Sequence, residues 1–518
     1  MESKKEGRAA DAVALVILAV MAASLFTRLQ DFPGLHGDEA WVGLFALRLR
    51  ERGLYTPHEM NTYTGALYPW LVKSAFGRWG VSVESLRLPG ALFNVAAWLV
   101  LWRTAVRAAG PRAGLAWCAL AASSAIVVLK SRVAWEVYAL QPLLLGLCVA
   151  AALKVLDGGR RGPALLLFAA SLIGVQNHFI FLSLPLALAG AAAALHAREG
   201  GERWLDLLQA ALVNLGPCLI LFAVKPLLTE ASWPMLRVPL LAAFCLLPFA
   251  AVAALEAAPR WRAALAGLFV HPRAPEAAAW ARRAFFALLA AAFWFHWVAL
   301  IQIQSGVAVL ARLASWRLPG FVEVLLYAWA ALFLAAVLGR GVRRLDGAGS
   351  GESQAETLLA VLPVVYAAVF ILFRNTSSIR YYILLSHLFL LAAAAAWPRL
   401  PPARRRPVLA AAAVGGVALH LMFWTALLSP SVHSPFRFRV GWHREKSYDF
   451  LPKEELFAEA QRRGVCEVVH GESMLDIPLI FDLHAHPRVC RGGTLATSYR
   501  GDGSSPPYID ARFTEPSN

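Results

Sequence analysis

Ala12-Val13-Ala14-Leu15-Val16-Ile17-Leu18-Ala19-Val20-Met21-Ala22-Ala23-Ser24-Leu25-Phe26 carries no charge, follows Lys4, Lys5 and Arg8, and precedes His36-Gly37-Asp38-Glu39-Ala40-Trp41. A hydrocarbon layer of ~30 Å needs about 20 apolar residues in a helix, so this run with its flanks reads as a membrane span. No small-residue cleavage site intervenes before the acidic stretch, so the span reads as retained and not as a removed signal peptide. The whole chain follows suit. Its 518 residues are 58% hydrophobic and 16% charged, with mean hydropathy +0.55, a composition that lipid solvates and water does not.

Thirteen apolar stretches qualify as spans: approximately 11–27, 88–102, 115–129, 137–153, 164–177, 179–195, 209–224, 238–255, 284–301, 321–339, 357–373, 381–397 and 407–428. The expected fold is therefore an α-helical polytopic membrane protein of about 13 transmembrane helices over residues 1–428. The pair meeting at Gln176-Asn177-His178 also fits one bent or re-entrant element. With the N-terminus inside, the inner segments hold 23 Lys and Arg and the outer segments before the tail hold 15 in a slightly larger length. That bias sets the orientation. The formal charge of +16 thus belongs to helix rims among membrane lipids, and no nucleic acid partner is expected. The abundance of Arg over Lys points to a GC-rich bacterial genome and so to a bacterial cytoplasmic membrane. No Asp or Glu falls near the middle of a span, unlike ion-coupled transporters, which need ionisable groups at mid-depth. Chemistry at one face fits better.

The first outer loop, 28–87, is the place to look. Asp38 and Glu39 head Ala40-Trp41-Val42-Gly43-Leu44-Phe45, which predicts an amphipathic helix on the membrane surface with both acids at its positive end. Helix capping is the bland alternative. Asn61-Thr62-Tyr63-Thr64-Gly65-Ala66-Leu67-Tyr68-Pro69-Trp70 and Glu84-Ser85-Leu86-Arg87-Leu88-Pro89-Gly90 complete the loop. Further outer-rim groups are Lys130-Ser131-Arg132 with Trp135-Glu136, the polar turn at His178, and Arg380-Tyr381-Tyr382 at the start of the twelfth span. His296, His387 and His420 lie inside spans, where interhelical hydrogen bonding is the default.

On these residues the chain resembles the GT-C superfamily of membrane glycosyltransferases, in the branch of protein O-mannosyltransferases and bacterial aminoarabinose transferases. That family carries an Asp-Glu pair in its first outer loop, an aromatic and proline stretch farther on, and Arg-Leu-Pro entering the second helix. The resemblance implies a polyprenyl-phosphate-sugar donor, a glycan, lipid or protein acceptor, and a single displacement with inversion. It leaves a divalent cation open, because some members use one and others do not, and no metal site is read here.

Such a donor already has a good leaving group, so the enzyme needs a base, cations for the departing phosphate and an apolar groove. Asp38 is the expected base, with Glu39 beside it to orient or cap. Arg380 is the first choice for the phosphate, followed by Lys130 and Arg132, because guanidinium matches phosphate with a fork and lysine as a point charge. Tyr63, Tyr68, Glu136, His178 and Tyr381 are the expected substrate contacts. For His178, a turn satisfying its own backbone is an equal reading, and for Lys130 a headgroup anchor is.

From 429 to 518 the character changes. Helix-like Lys453 to Arg463, strand-like Val465 to Val469 and Asp476 to Leu483 predict a small extracytoplasmic α/β module ending in a flexible Gly501 to Asn518. His484 and His486 read as surface residues. Cys118, Cys148, Cys218 and Cys245 lie in apolar runs as small hydrophobes. Cys466 and Cys490 are the pair placed to form a disulfide outside the cell. A flippase or transporter of lipid-linked glycans shares the helix count and basic rims but does not require an acid pair in a long outer loop. An O-antigen ligase or polymerase concentrates its key residues in a late loop.

Overall fold

In the computed structural model, the described residues are 2–52 without 31, 34 and 36, 64–230 without 160, 259–270, 319–346, 351–370, 382–428, 459–469, 480–481, 492–500 and 508–514, with scattered positions between 246 and 289. The opening apolar run becomes α1, Glu2–Phe26. Ala14, Leu18, Met21 and Leu25 are buried along one stripe, while Val13, Leu15, Val16 and Val20 are exposed. The stripe has the spacing of one helix face. An opposite face that is also apolar is suited to hydrocarbon.

Helices α2 (Gly37–Arg52) and α3 (Leu67–Trp79) come from the first loop. Then α4 (Val83–Ala109) starts on a reciprocal cap in which the backbone N–H groups of Ser85 and Ser82 each donate to the other's hydroxyl at 3.0 Å. Those bonds satisfy donors that a helix start leaves orphaned. The third expected span is broken into α5 (Pro111–Ala122) and α6 (Ala125–Lys130). A short α7 (Glu136–Ala139) leads into α8 (Gln141–Leu156) and α9 (Arg161–Asn177). After His178, a 3₁₀ turn (Phe179–Leu182) feeds α10 (Ser183–Glu199), so this junction joins two helices. Next come α11 (Glu202–Glu230), α12 (Pro259–Val270), α13 (Gly320–Leu345), α14 (Gln354–Phe370), α15 (Ile383–Ala396) and α16 (Pro402–Leu428).

Among the described residues, 6 helical stretches are long and apolar enough to cross a membrane, with shorter apolar helices at Gln354–Phe370, Ile383–Arg399 and Ala413–Thr425. Helix covers each expected span except 238–255 and 284–301, most of which lies outside the described residues. The chain is a multi-pass helical membrane protein. Its centre is α4, packed on α3, α5 and α8, while α10 packs on α11 and α14, and α14 on α13 and α15.

Polar contacts gather the helix ends into two sets. At one end Arg112 pairs with Glu6 at 2.6 Å, Arg107 with Asp157, Arg340 and Arg344 with Glu352 at 2.9 and 2.7 Å, and Arg399 with Glu356 at 2.9 Å. All of these belong to segments that the basic-residue count assigns to one side. The other set holds the acid pair. In the loop beyond α13, burial raises the Glu352 pKa, but Arg344 and Arg340 outweigh it and hold the carboxyl below its ordinary value.

Two expectations are corrected. α2 is not a half-exposed surface helix: Ala40, Val42, Leu44, Phe45, Ala46 and Leu49 are all buried. With apolar residues around its circumference it is covered on several sides, as such helices must be. The end of the chain is not uniformly flexible, because β3 (Tyr508–Thr514) pairs antiparallel with β2 (Gly493–Arg500), itself parallel to β1 (Val465–Val469). Ile509, Ala511 and Phe513 alternate with Asp510 and Arg512, a strand period that the Gly-rich surroundings obscure. Cys466 is disulfide-bonded; Cys490, its expected partner, lies outside the described residues, as do His296, His484 and His486.

Candidate functional site

Asp38 and Glu39 occupy the first turn of α2, at 4% and 0% exposure. Consecutive helical residues point about 100° apart, so two adjacent acids face different neighbours. Glu39 faces α4, where its carboxylate accepts from Arg87 Nε at 2.9 Å and Nη2 at 2.8 Å, and from the Ala134 backbone N–H at 2.6 Å. Arg87 also donates through Nη1 to the Leu29 carbonyl at 2.8 Å. Both side chains are fully buried, and a buried charge is tolerable only with such pairing. Glu39 therefore ties together α2, α4 and the 131–135 turn, and Asp38 sits one residue ahead of that knot.

Arg132 was expected at a phosphate. Instead its guanidinium lies beyond the end of α1, donating to the carbonyls of Phe32 through Nε, Ser24 and Leu25 through Nη1, and Thr27 and Arg28 through Nη2. Those bonds use all five N–H groups of the side chain. Arg28 itself adopts φ 49°, a left-handed conformation at a helix C-terminus more often taken by Gly, and its carbonyl is one of those Arg132 holds. The physical cause is that the last carbonyls of a buried helix end need donors.

Lys130, at the last turn of α6, is only partly buried and lies with Nζ 5.1 Å from the centre of the Tyr138 ring. Glu136 is buried at the start of α7. Tyr68, on α3, is buried near both carboxylates. Burial first, then the charges of Glu39 and Glu136, push its pKa well above the ordinary value, so it is a hydroxyl donor at any working pH.

His178 is fully buried between α9 and the 3₁₀ turn. Its Nδ1 accepts from the Ile180 N–H at 3.2 Å, which puts the proton of a neutral ring on Nε2. The imidazole stands edge-on to Trp135, with ring centres 6.4 Å apart. Thr64 pairs with His178 as an antiparallel bridge, and Gly65 N–H donates to the Asn177 carbonyl at 3.1 Å. Thus the first loop is stitched to the α9 junction, more than a hundred residues on. A turn serving its own backbone, the bland reading, accounts for Nδ1.

The structure therefore brings Asp38, Glu39, Tyr68, Lys130, Glu136 and His178 to one end of the bundle. Tyr63, Arg380 and Tyr381 lie outside the described residues. Three side chains were not singled out from sequence. Arg87 was visible only as part of Arg-Leu-Pro; the need of a buried acid for a partner was the available signal. Asn94 donates to the carbonyls of Gly90 and Tyr138 at 2.9 and 3.0 Å. Gln141 is buried with its Nε2 3.4 Å from the His178 carbonyl. Gln141 Oε1 and Asn177 Oδ1 are buried with no hydrogen-bond partner among the described residues. Uncharged polar groups within apolar runs were the signal for both Asn94 and Gln141.

Among the described residues no group of three or more His, Cys, Asp or Glu is arranged to hold a metal ion. Of the span histidines, His420 Nδ1 meets Ser24 Oγ across helices at 3.3 Å, as expected. His387 instead bonds within its own helix, to the Ile383 carbonyl at 2.8 Å.

No family model and no curated protein matches the chain. Solved structures do resemble it. One is ArnT from Cupriavidus metallidurans bound to undecaprenyl phosphate, at 15% identity and TM-score 0.41, covering 94% of this chain and 92% of that one. Another is the archaeal oligosaccharyltransferase AglB from Archaeoglobus fulgidus, in complex with an inhibitory peptide and a dolichol-phosphate. It has 12% identity and TM-score 0.44 and covers 93% of this chain and 69% of that one.

Proposed function

We propose that the chain is a glycosyltransferase that moves a sugar from a polyprenyl-phosphate-linked donor to an acceptor hydroxyl on the outer face of a bacterial cytoplasmic membrane, with inversion. The observation that carries this reading is the gathering of the buried acids Asp38, Glu39 and Glu136 with Lys130 at one end of the bundle. Glu39 is spent on Arg87 and Ala134, and that fixed knot holds Asp38 at the start of α2, at the same end of the bundle as Lys130, Tyr68, Glu136 and His178.

In the proposed step the acceptor oxygen forms a bond to the anomeric carbon as the bond from that carbon to the phosphate oxygen breaks. The acceptor's proton passes to Asp38, and the bond electrons leave with the polyprenyl phosphate. Positive charge builds on the sugar ring on the way, as in glycoside hydrolysis, and buried carboxylates favour it. With the five N–H groups of Arg132 committed to carbonyls, Lys130 takes over at the leaving phosphate, and Arg380 remains proposed for the same task. Tyr68, Glu136 and His178, with the acceptor atoms of Gln141 and Asn177, supply polar contacts for sugar hydroxyls. Tyr63 and Tyr381 are proposed to add aromatic walls. This reading favours an enzyme over a flippase because it gives the buried acids a task at one face.

The test is transfer from a radiolabelled polyprenyl-phosphate sugar by the purified protein in nanodiscs. Asp38→Asn is expected to lower kcat by about 10²-fold or more with donor KM little changed, and Lys130→Met to raise donor KM. Wild-type turnover by Asp38→Asn removes Asp38 as the base. Movement of a lipid-linked glycan between leaflets with no transfer product supports the flippase instead.

A further inference from the structure

The small sheet is not a free appendage. Its core is Ala460, Val465, Val468 and Leu495, with Ile480 and Phe513 packed on it. Ile480 packs on the membrane core as well, and the next residue, Phe481, is fully buried within that membrane core. Its ring lies 6.1 Å from the Phe76 ring of α3. On α2 it meets Gly43 so closely that a Cβ there would stand 2.4 Å from the ring, and only hydrogen fits. Gly43 is one helical turn after Glu39, on the same face of α2. The helix is therefore held twice on that face, by Glu39 in the Arg87 knot and by the Phe481 ring in the Gly43 notch, and Asp38 lies at the start of the segment so clamped.

We infer that Phe481 is a positioning residue by which the C-terminal module clamps α2 and α3 together and so fixes where Asp38 sits. This rests on the glycosyltransfer reading for its consequence to turnover, but not for the clamp itself. Three features support it: the aromatic anchor belongs to a different part of the chain from the helices it joins, Gly43 makes room for it, and Ile480 links the anchor to the sheet. A wholly buried Phe is among the side chains most costly to truncate, and here its packing acts on the two helices carrying Asp38 and Tyr68. The module need not touch substrate to matter.

The experiment uses the full chain in nanodiscs with Phe481→Ala, Phe481→Leu and Gly43→Val, read by hydrogen exchange and by transfer kinetics. Phe481→Ala is expected to speed amide exchange in α2 and α3 by on the order of tenfold or more while α8 to α10 keep their protection. It lowers kcat more than it changes donor KM. Phe481→Leu restores part of both, and Gly43→Val, which evicts the ring, reproduces the loss. Unchanged α2 exchange in Phe481→Ala and Gly43→Val overturns the clamp, and so does loss of protection throughout the bundle. Local loosening of α2 in a protein whose wild type transfers no sugar supports the clamp and counts against the glycosyltransfer reading alone.

Discussion

Arg87→Met isolates the physics of the acid pair. In the wild type, the Glu39 carboxylate has three donors, at 2.9, 2.8 and 2.6 Å, and the Leu29 carbonyl has Arg87 Nη1 at 2.8 Å. Methionine removes three of those four bonds, and of the four only the Ala134 N–H still reaches the buried carboxylate. Breaking a buried pair from one side costs about 3–5 kcal/mol, and the orphaned Leu29 carbonyl adds ~1 kcal/mol. The double variant Glu39→Gln with Arg87→Met carries no charge and can still accept from Ala134, so its cost falls to ~1–2 kcal/mol. Arg87→Lys keeps the charge but loses the fork and should fall between. Thermal unfolding in nanodiscs followed by tryptophan fluorescence ranks the set, expected as wild type, double variant, Arg87→Lys or close to it, then Arg87→Met. A double variant no more stable than Arg87→Met, or an Arg87→Met indistinguishable from wild type, refutes the claim that Glu39 is held by this pair.

Arg132→Met should free the α1 end, raising amide exchange at 24–28 and lowering the unfolding midpoint; an intact midpoint with raised donor KM would return Arg132 to the phosphate. A Cβ at Gly65 would lie 2.1 Å from the Gln176 carbonyl oxygen, so Gly65→Ala should part the Thr64–His178 bridge at ~1–3 kcal/mol, measured as faster proteolysis of the first loop. Glu352, whose pKa is lowered by Arg344 and Arg340 against burial, stabilises the fold above the ordinary carboxylate pKa of 4.5, and that contribution is lost as pH falls through the lowered folded value. Unfolding midpoints of wild type and Glu352→Gln should therefore differ at neutral pH and converge below 4.5; a constant gap down to pH ~2 contradicts this.

Much of the fold was legible because hydrocarbon imposes a simple rule. A helix must satisfy its own backbone and present apolar side chains for about 20 residues, and Ala12 to Phe26 does so without help from any other segment. Val465 to Val469 was legible as a strand from its β-branched residues, whereas the irregularity between Val465 and Glu467 that brings Val465 and Val468 into one small core was not. Asp38 and Glu39 could be located in the first loop, and the resemblance carried by Arg-Leu-Pro could be seen, because spacing along the chain is a one-dimensional property.

What the sequence by itself determined is a multi-pass helical protein with two acids at the start of a helix just after its first span. Only the tertiary structure decided that Arg87 pairs with Glu39, that Arg132 closes a helix end with all its N–H groups engaged, and that α2 is buried beneath Phe481. The reason is that a buried charge takes its role from whatever lies within 3 Å of it. For Glu39 those groups stand 48 and 95 residues away along the chain, a distance that no local pattern spans and that packing reduces to a hydrogen bond.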